Sequence, residues 1–172
     1  MMRLQNYEIE YAQTEDLPAI VNIYNSTILG RVVTADLEPV SVESRRSWFF
    51  EHNDHHRPLW VMRLEGKVIA WMSFQSFYGR AAYDGTAEIS IYVSEDYRGA
   101  GVGSILIEKA IVECSRLNID NLVGFVFAHN EGSLKLLTKY GFKQWGYLPE
   151  VAVLDNVKRN LVIVGLNVFG RS

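Results

Sequence analysis

The glycine-rich run at residues 98–103 constrains the fold of this chain more than any other segment. It reads Arg-Gly-Ala-Gly-Val-Gly and separates an apolar, strand-like segment at 88–93 from a segment at 102–114 whose apolar residues recur at helical spacing. Glycines let the backbone turn and expose successive N–H groups, and the start of a helix adds unpaired donors and the positive end of its dipole. A strand, a glycine loop and a helix in this order predict an α/β or α+β sheet domain that binds a diphosphate.

Two common diphosphate-binding motifs do not fit this loop. A Walker loop ends in Gly-Lys-Ser/Thr, whereas Gly103 is followed by Ser104 and Ile105. A dinucleotide fingerprint has two residues before its last glycine, whereas the glycines of this loop are each separated by a single residue. The alternative to a binding site is a tight turn that needs glycine only for its backbone conformation.

Hydrophobic periodicity predicts strands and helices on both sides of the loop. Residues 7–11 alternate as a strand, and Thr14 is the expected N-terminal cap of a helix whose buried face includes Leu17 and Ile20. Glu65-Gly66 is a turn dipeptide between two apolar runs, which predicts a β-hairpin. The other expected elements are a helix at 42–51, a strand at 122–127, a helix at 133–140 capped by Asn130 and closed by Gly141, and strands at 142–148 and 161–168.

Composition and charge narrow the class of protein. The chain has 172 residues, of which 48% are hydrophobic and 22% charged, and this fits one globular domain over residues 1–172. The formal net charge of −3 gives no indication of the excess of basic residues that binds nucleic acid. One cysteine, Cys114, excludes an intramolecular disulfide, and the longest apolar stretch, 161–169, is about half of a membrane span. With no apolar leader segment, we expect a cytoplasmic protein with no nucleic-acid or membrane partner.

The glycine loop and its surroundings resemble the GCN5-related N-acetyltransferases, the GNAT superfamily. Residues 98–103 are similar to that family's Arg/Gln-x-x-Gly-x-Gly/Ala loop, and Asn130 and Gly141-Phe142 stand at family positions after the next strand and the next helix. The resemblance is closer still to the phosphinothricin and methionine sulfoximine acetyltransferase branch. It is carried by Ile23-Tyr24-Asn25, Arg45/Arg46 with Trp48-Phe49, Arg80-Ala81-Ala82-Tyr83, Thr86-Ala87-Glu88 and Tyr92-Val93.

This resemblance covers about residues 7–148 and implies a fold and a cosubstrate. The implied fold is the GNAT fold, a mixed and mostly antiparallel sheet of about six to seven strands flanked by helices. The implied cosubstrate is acetyl-CoA, whose diphosphate binds the loop amides and whose pantetheine arm binds the preceding strand. The residues implied as its ligands are Ile91, Tyr92, Val93, Arg98, Gly99, Ala100, Gly101, Val102, Gly103, Ser104, Asn130 and Lys139.

Glu88 is the candidate general base. Acetyl transfer to an amine needs the neutral amine, and at neutral pH a base must remove a proton from the ammonium. Glu88 begins the strand that leads into the loop and resembles the catalytic glutamate of the phosphinothricin branch, acting through a water molecule. The alternative is a strand-end carboxylate that binds backbone N–H groups or pairs with an arginine.

No general acid for the leaving thiolate is identified. Many members of the family use a tyrosine where this chain has Leu137, and Tyr140 is displaced by three residues. Helix-end packing explains Tyr140 better than catalysis does. Solvent is the remaining proton donor.

The acceptor site is expected to bind a small-molecule amine. Arg80 and Tyr83 match an arginine and a tyrosine that line the acceptor pocket in the resembling branch, and an arginine suits a carboxylate. Asp36 is the candidate contact for an ammonium group, and the alternative for each of these is a solvated loop residue. Residues 154–160 lack the branch's Lys-His-Gly-x-Trp-His/Asp segment, which puts phosphinothricin itself in doubt as a substrate.

The resulting prediction is an N-acetyltransferase for the amine of a small amino acid or analogue, acting in a ternary complex as a homodimer. A polyamine or a protein N-terminus is the rival acceptor, and Arg80 fits a polyamine poorly. An acyl-CoA-binding module without turnover is the rival class. No metal is expected, since the polar cluster His52, Asp54, His55 and His56 fits a loop before Pro58.

Overall fold

The computed structural model describes residues 4–170, in which seven strands form one sheet. The strands are β1 (Tyr7–Tyr11), β2 (Leu59–Leu64), β3 (Lys67–Ser76), β4 (Thr86–Val93), β5 (Asn121–Phe127), β6 (Lys143–Leu154) and β7 (Val157–Asn167). The helices are α1 (Leu17–Ser26), α2 (Arg46–Phe50), α3 (Val102–Glu113) and α4 (Glu131–Lys139). Short 3-10 turns lie at Thr14–Asp16, Glu43–Arg45, Ala81–Tyr83 and Glu95–Tyr97. None of the helices within residues 4–170 is long and apolar enough to cross a membrane.

The strand order is β1-β2-β3-β4-β5-β7-β6, and one pair of neighbours differs from the others. Strands β4 and β5 are parallel, whereas every other neighbouring pair is antiparallel. Parallel neighbours need a crossover connection, and the glycine loop with α3 supplies it. The mixed, mostly antiparallel sheet flanked by helices that the sequence implied is confirmed.

The parallel pair is short. Thr86, Ala87 and Glu88 pair with Asn121, Leu122 and Val123, and no register pair follows. Strand β4 continues to Val93 and β5 to Phe127. The two strands therefore part after Glu88 and leave a gap in the middle of the sheet.

Apolar side chains cover both faces of the sheet. On one face α1 packs through Ile20 and Ile23 against Val61 and Trp71, and the indole N–H of Trp71 donates to the Ile20 carbonyl at 3.1 Å. On the other face α3 packs on the strands. The fully buried members of that larger cluster include Met62, Ile69, Met72, Phe74, Leu106, Ile107 and Leu122. The amphipathic patterns that predicted these elements correspond to these two buried faces.

Of the two predicted N-terminal helix caps, one is confirmed and one is wrong. Asn130 caps α4, since its side-chain oxygen accepts from the Ser133 N–H at 3.1 Å, and Gly141 adopts φ of 92°. Thr14 as the cap of the first helix is wrong. Instead, the buried Asp16 carboxylate accepts from the Gln13 N–H at 2.8 Å, in the turn that precedes α1.

The closing strands are longer than predicted. The expected strands at 142–148 and 161–168 are the outer parts of β6 and β7, which continue to a tight turn at Asp155 and Asn156 with φ of 50° and 65°. Most residues of β6 are exposed, and register shifts between Gln144 and Gly146 and between Leu148 and Ala152 break its alternation. The alternation of buried and exposed residues that predicts a strand is therefore missing over the rest of β6.

We expect the Asp16 carboxylate to hold the start of α1 on the sheet. Arg63 donates to both of its oxygens, at 2.8 and 2.7 Å, and the Asp16 side chain is only 8% exposed. Asp16→Ala should lower the free energy of unfolding by about 2 kcal/mol or more, because Arg63 and the Gln13 N–H lose a shared partner. Urea denaturation measures this loss, with the exposed Asp54→Ala as control. Equal stability of the two variants would contradict the prediction.

Candidate active site

A cavity of about 1180 Å³ lies between β4 and β5 where the two strands part, and we call it the cleft. It extends from the parted strands to the starts of α3 and α4. Of the residues that the sequence assigned to a cosubstrate, those lining it are Ile91, Tyr92, Val93, Arg98, Gly99, Gly101, Val102, Gly103, Ser104, Asn130 and Lys139. Ala100 does not line the cleft, because its side chain packs against the core.

The glycine loop has the backbone conformation of an anion site. Gly99 and Gly101 have φ of 76° and 83°, which other residues rarely adopt. Gly101 precedes α3 and offers no side-chain cap, so N–H groups of the first helical turn are left for a ligand. A Cβ on Gly103 would lie 2.7 Å from Leu136 Cδ2, so glycine there also lets α3 approach α4.

A second cavity of about 210 Å³ lies on the α1 side of the sheet; we call it the side pocket. Its floor is formed by the facing register pairs Trp71–Tyr92, Ser73–Ser90 and Gln75–Glu88 of β3 and β4. Its walls are Ile20, Val21, Tyr24, Val40, Arg45 and Trp48. Glu88, Ser90 and Tyr92 line both cavities, so the side pocket adjoins the cleft.

Glu88 lies where the two cavities meet, at the last position of β4 that pairs with β5. Burial raises the pKa of its carboxyl group, and no neighbouring charge offsets this effect. Among residues 4–170 the carboxylate has no hydrogen-bond or ion-pair partner, so the alternative of pairing with an arginine or a backbone N–H is not seen. A partly buried carboxylate with a raised pKa is suited to accept a proton near neutral pH.

Asp36 belongs to a hydrogen-bonded network at the edge of the side pocket. The Tyr24 hydroxyl donates to its carboxylate and lies 2.6 Å from Thr34 Oγ1. Arg45 Nη2 donates to the same carboxylate at 3.1 Å. Burial and the bond to Asp36 raise the pKa of the Tyr24 hydroxyl. Asp36 pairs with Arg45 and lines neither cavity, and its contact with an ammonium stays a prediction.

Arg80 and Tyr83 lie outside the two cavities that Glu88 lines. Both side chains are exposed, and neither lines the cleft or the side pocket. The buried Arg57 fixes the loop that carries them, by donating to the Asp84 carbonyl at 2.9 Å and to Ser76 Oγ at 3.1 Å. The structure does not bring these two residues together with the base, and their acceptor role stays a prediction.

The remaining candidates of the sequence have structural partners. The Tyr140 hydroxyl donates to Glu108 at 2.8 Å, in keeping with a role at the end of α4. His52 Nδ1 lies 2.8 Å from the Trp48 carbonyl. Within residues 4–170, His, Cys, Asp and Glu side chains form no group of three that could hold a metal ion.

Comparison with known proteins decides the family. The model of the acetyltransferase (GNAT) family matches residues 17–142. The chain belongs to the GNAT acetyltransferases. The GNAT fold and the enzyme class that the sequence implied are confirmed.

Individual relatives place this acetyltransferase in a branch of the family. It is 49% identical over 158 residues to a Bacillus subtilis (strain 168) protein named "Putative phosphinothricin acetyltransferase YwnH", covering 91% of this chain and 96% of that protein. It is 28% identical over 144 residues to an L-methionine sulfoximine/L-methionine sulfone acetyltransferase of Pseudomonas paraeruginosa, covering 83% and 84%. The acetyltransferase is thus of the phosphinothricin and methionine sulfoximine branch.

A solved structure supports the fold over almost the whole chain. It is that of yncA, a "putative acetyltransferase" from Salmonella typhimurium with its cofactor acetyl-CoA. It aligns with a TM-score of 0.88 at 24% identity and covers 98% of this chain and 97% of that one. At this identity the likeness shows the fold of the acetyltransferase.

Burial of Glu88 should appear in the pH dependence of stability. Because its pKa is raised in the folded state, the ionised carboxylate destabilises the fold above that pKa, and the effect vanishes below the unfolded value of about 4.3. Glu88→Gln should therefore have a higher Tm than the natural protein at about pH 8, with the difference lost near pH 4.

Differential scanning calorimetry across this pH range measures the effect. Glu8→Gln is the matched control, since Glu8 is an exposed carboxylate on strand β1. A Tm difference for Glu88→Gln that does not change with pH would contradict a buried, titrating Glu88.

Proposed function

We propose that this GNAT acetyltransferase transfers the acetyl group of acetyl-CoA to the primary amine of a small amino acid or amino-acid analogue. The observation that carries the proposal is the position of Glu88, an unpaired and partly buried carboxylate where the cleft and the side pocket meet. The cleft is the place for the cosubstrate and the side pocket the place for the acceptor, so the base lies between them. The names of the relatives support a small amine as acceptor.

The residues of the cleft fit acetyl-CoA. The open N–H groups at the start of α3 suit a diphosphate, and the cationic side chains of Arg98 and Lys139 also line the cleft. Beyond Glu88 the edge of β4 that faces β5 has no strand partner. Its main-chain groups are therefore available to bind an extended, amide-containing arm in the manner of an added strand.

In the proposed reaction, Glu88 removes a proton from the acceptor ammonium, directly or through one water molecule. The neutral amine then attacks the thioester carbonyl carbon, and the C–S bond breaks. The nitrogen releases its second proton to solvent to give the amide, and the thiolate takes a proton from solvent. Acetyl-CoA supplies an activated acyl carbon. The protein supplies position and a base whose pKa is raised toward neutrality by burial.

The rival functions differ in what they require of the side pocket. A polyamine would need an anionic pocket, but the side pocket contains Arg45 as well as Glu88. An acyl-CoA-binding module without turnover would have no use for an unpaired Glu88, and formation of acetylated product from labelled acetyl-CoA separates it from an enzyme. A homodimer, a single domain over residues 1–172 and a cytoplasmic location stay predictions.

Glu88→Gln tests the base. The variant keeps the shape of the side chain but cannot take a proton, so kcat should fall by roughly 10²–10⁴-fold at neutral pH. Affinity for acetyl-CoA, measured by calorimetry, should change little. The deficit should shrink as the pH approaches the pKa of the acceptor amine, where the amine arrives neutral. Natural kcat at neutral pH, with Glu8→Gln as control, would remove Glu88 from the mechanism.

Arg98→Ala tests the cosubstrate site. The Arg98 side chain is exposed at the cleft and makes no hydrogen bond or ion pair within residues 4–170, so its loss leaves the fold intact. Loss of a charge-assisted contact to a phosphate should weaken acetyl-CoA binding by roughly tenfold or more. Lys67→Ala, an exposed cation at the start of β3, is the control. Equal affinities of the two variants in calorimetry would place the phosphates elsewhere.

A further inference from the structure

We propose that Arg45 binds the carboxylate of the amino-acid acceptor in the side pocket. This inference rests on the proposed function and names the group that selects the substrate class. It assigns to Arg45 the role that the sequence gave to Arg80. Four observations lead to it: the charges in the pocket, the geometry of Arg45, an unpaired hydroxyl on the floor, and the size of the cavity.

The charges in the side pocket match those of an α-amino acid. Its ionisable lining residues are Tyr24, Arg45, Glu88 and Tyr92, so Arg45 is its one cationic lining residue. Burial keeps the Tyr92 hydroxyl neutral by raising its pKa. The pocket thus holds one base and one permanent cation. The amine of an acceptor belongs beside Glu88, and its carboxylate is attracted to Arg45.

Two contacts hold the guanidinium of Arg45 in place, and most of its N–H donors have no partner in the described part of the chain. Nη2 donates to Asp36 at 3.1 Å, and Cζ lies 4.8 Å from the centre of the Tyr24 ring. No other side-chain hydrogen bond of Arg45 occurs within residues 4–170. A guanidinium has five N–H donors, so donors remain for a two-point contact with a carboxylate. Asp36 fixes the orientation of Arg45, and its own side chain is 42% exposed to screening water.

The floor of the pocket contains a polar group that lacks a partner. Ser73 is 1% exposed, and its Oγ has no hydrogen-bond partner among the described residues. Its register partner is Ser90, next to the pair of Gln75 and Glu88. A buried hydroxyl normally has a partner, so this one points to a polar ligand or an ordered water.

The size of the pocket favours a small acceptor. Its volume of about 210 Å³ lies below the roughly 300–1,000 Å³ that is usual for drug-sized ligands. A free amino acid is of a suitable size, and the side pocket adjoins the cleft through Glu88, Ser90 and Tyr92. An acceptor held at Arg45 would present its amine toward this junction.

A pair of acceptors that differ only in the carboxylate tests the proposal. The probes are L-methionine sulfone and its primary amide, with steady-state kinetics at saturating acetyl-CoA. Arg45→Met should raise KM for the amino acid by roughly 10- to 100-fold, and raise KM for the amide far less. The kcat for both probes should change little, because carboxylate binding is the same in the ground and transition states.

One control variant, one rival variant and one conservative variant sharpen the test. Arg46→Met removes the neighbouring arginine, which is exposed and pairs with Glu43, and should leave KM for the two probes unchanged. Arg80→Met removes the arginine assigned from the sequence and should raise KM for the amino acid less than Arg45→Met does. Arg45→Lys keeps the charge but loses the planar fork, so it should give a smaller rise in KM for the amino acid, and it decides the question if Arg45→Met fails to fold.

The outcomes separate this inference from the proposed function. Equal KM changes for both probes in Arg45→Met or Arg45→Lys, or a larger rise in Arg80→Met, would overturn the role of Arg45. Natural enzyme that acetylates the amide as well as the amino acid, with equal KM, would do the same. Failure of the natural enzyme to acetylate either probe or any of a panel of amino acids would overturn the proposed function itself.

Discussion

The separation of β4 from β5 is the constraint on which the rest of this structure depends. Two parallel strands pair over three residues and then part, which opens the sheet without breaking the hydrogen bonds of the neighbouring antiparallel pairs. The crossover between parallel strands must return the chain to the same end of the sheet. That requirement places the glycine loop and the start of α3 beside the opening. The candidate anion site and an unpaired strand edge thus both follow from one local change in pairing.

The same separation fixes the chemistry of Glu88. The carboxylate lies where β4 and β5 part, so it is partly buried, and it lies beside no cation. An arginine within a few ångströms would lower its pKa and weaken it as a base. Arg45 lines the same pocket, but it forms an ion pair with Asp36. Under the proposed function, this ion pair leaves a cation for a substrate in the pocket while Glu88 keeps its raised pKa.

Local patterns predicted most of the fold and the cleft, but less of the acceptor side. The glycine loop, Asn130 and Lys139 follow one another in short units of the chain, so their meeting in one cleft is expected from the strand-loop-helix order. The side pocket is different, since it combines residues of α1, of the segment from Val40 to Trp48 and of two neighbouring strands. Nothing in the local sequence shows that Ser73 faces Ser90, because register depends on how β3 turns back at Glu65 and Gly66 and continues past the loop at residues 77–85. Arg80 precedes Glu88 by eight positions, yet the loop that carries it leaves the sheet before β4 begins.

The two adjacent arginines at the start of α2 show why a charge cannot be assigned to a site from its type alone. Successive residues in a helical turn project about 100° apart, so Arg45 and Arg46 cannot face the same environment. Arg45 turns inward to Asp36 and the pocket, whereas Arg46 turns outward to Glu43. Trp48 is partly buried and packs against Trp71 with ring centroids 5.3 Å apart, a contact that helps to orient the short helix on the sheet. The charge available in the side pocket therefore depends in part on an aromatic contact that carries no charge. Because Trp48 is also a wall of this pocket, a substitution there would change the wall itself as well as the orientation of α2.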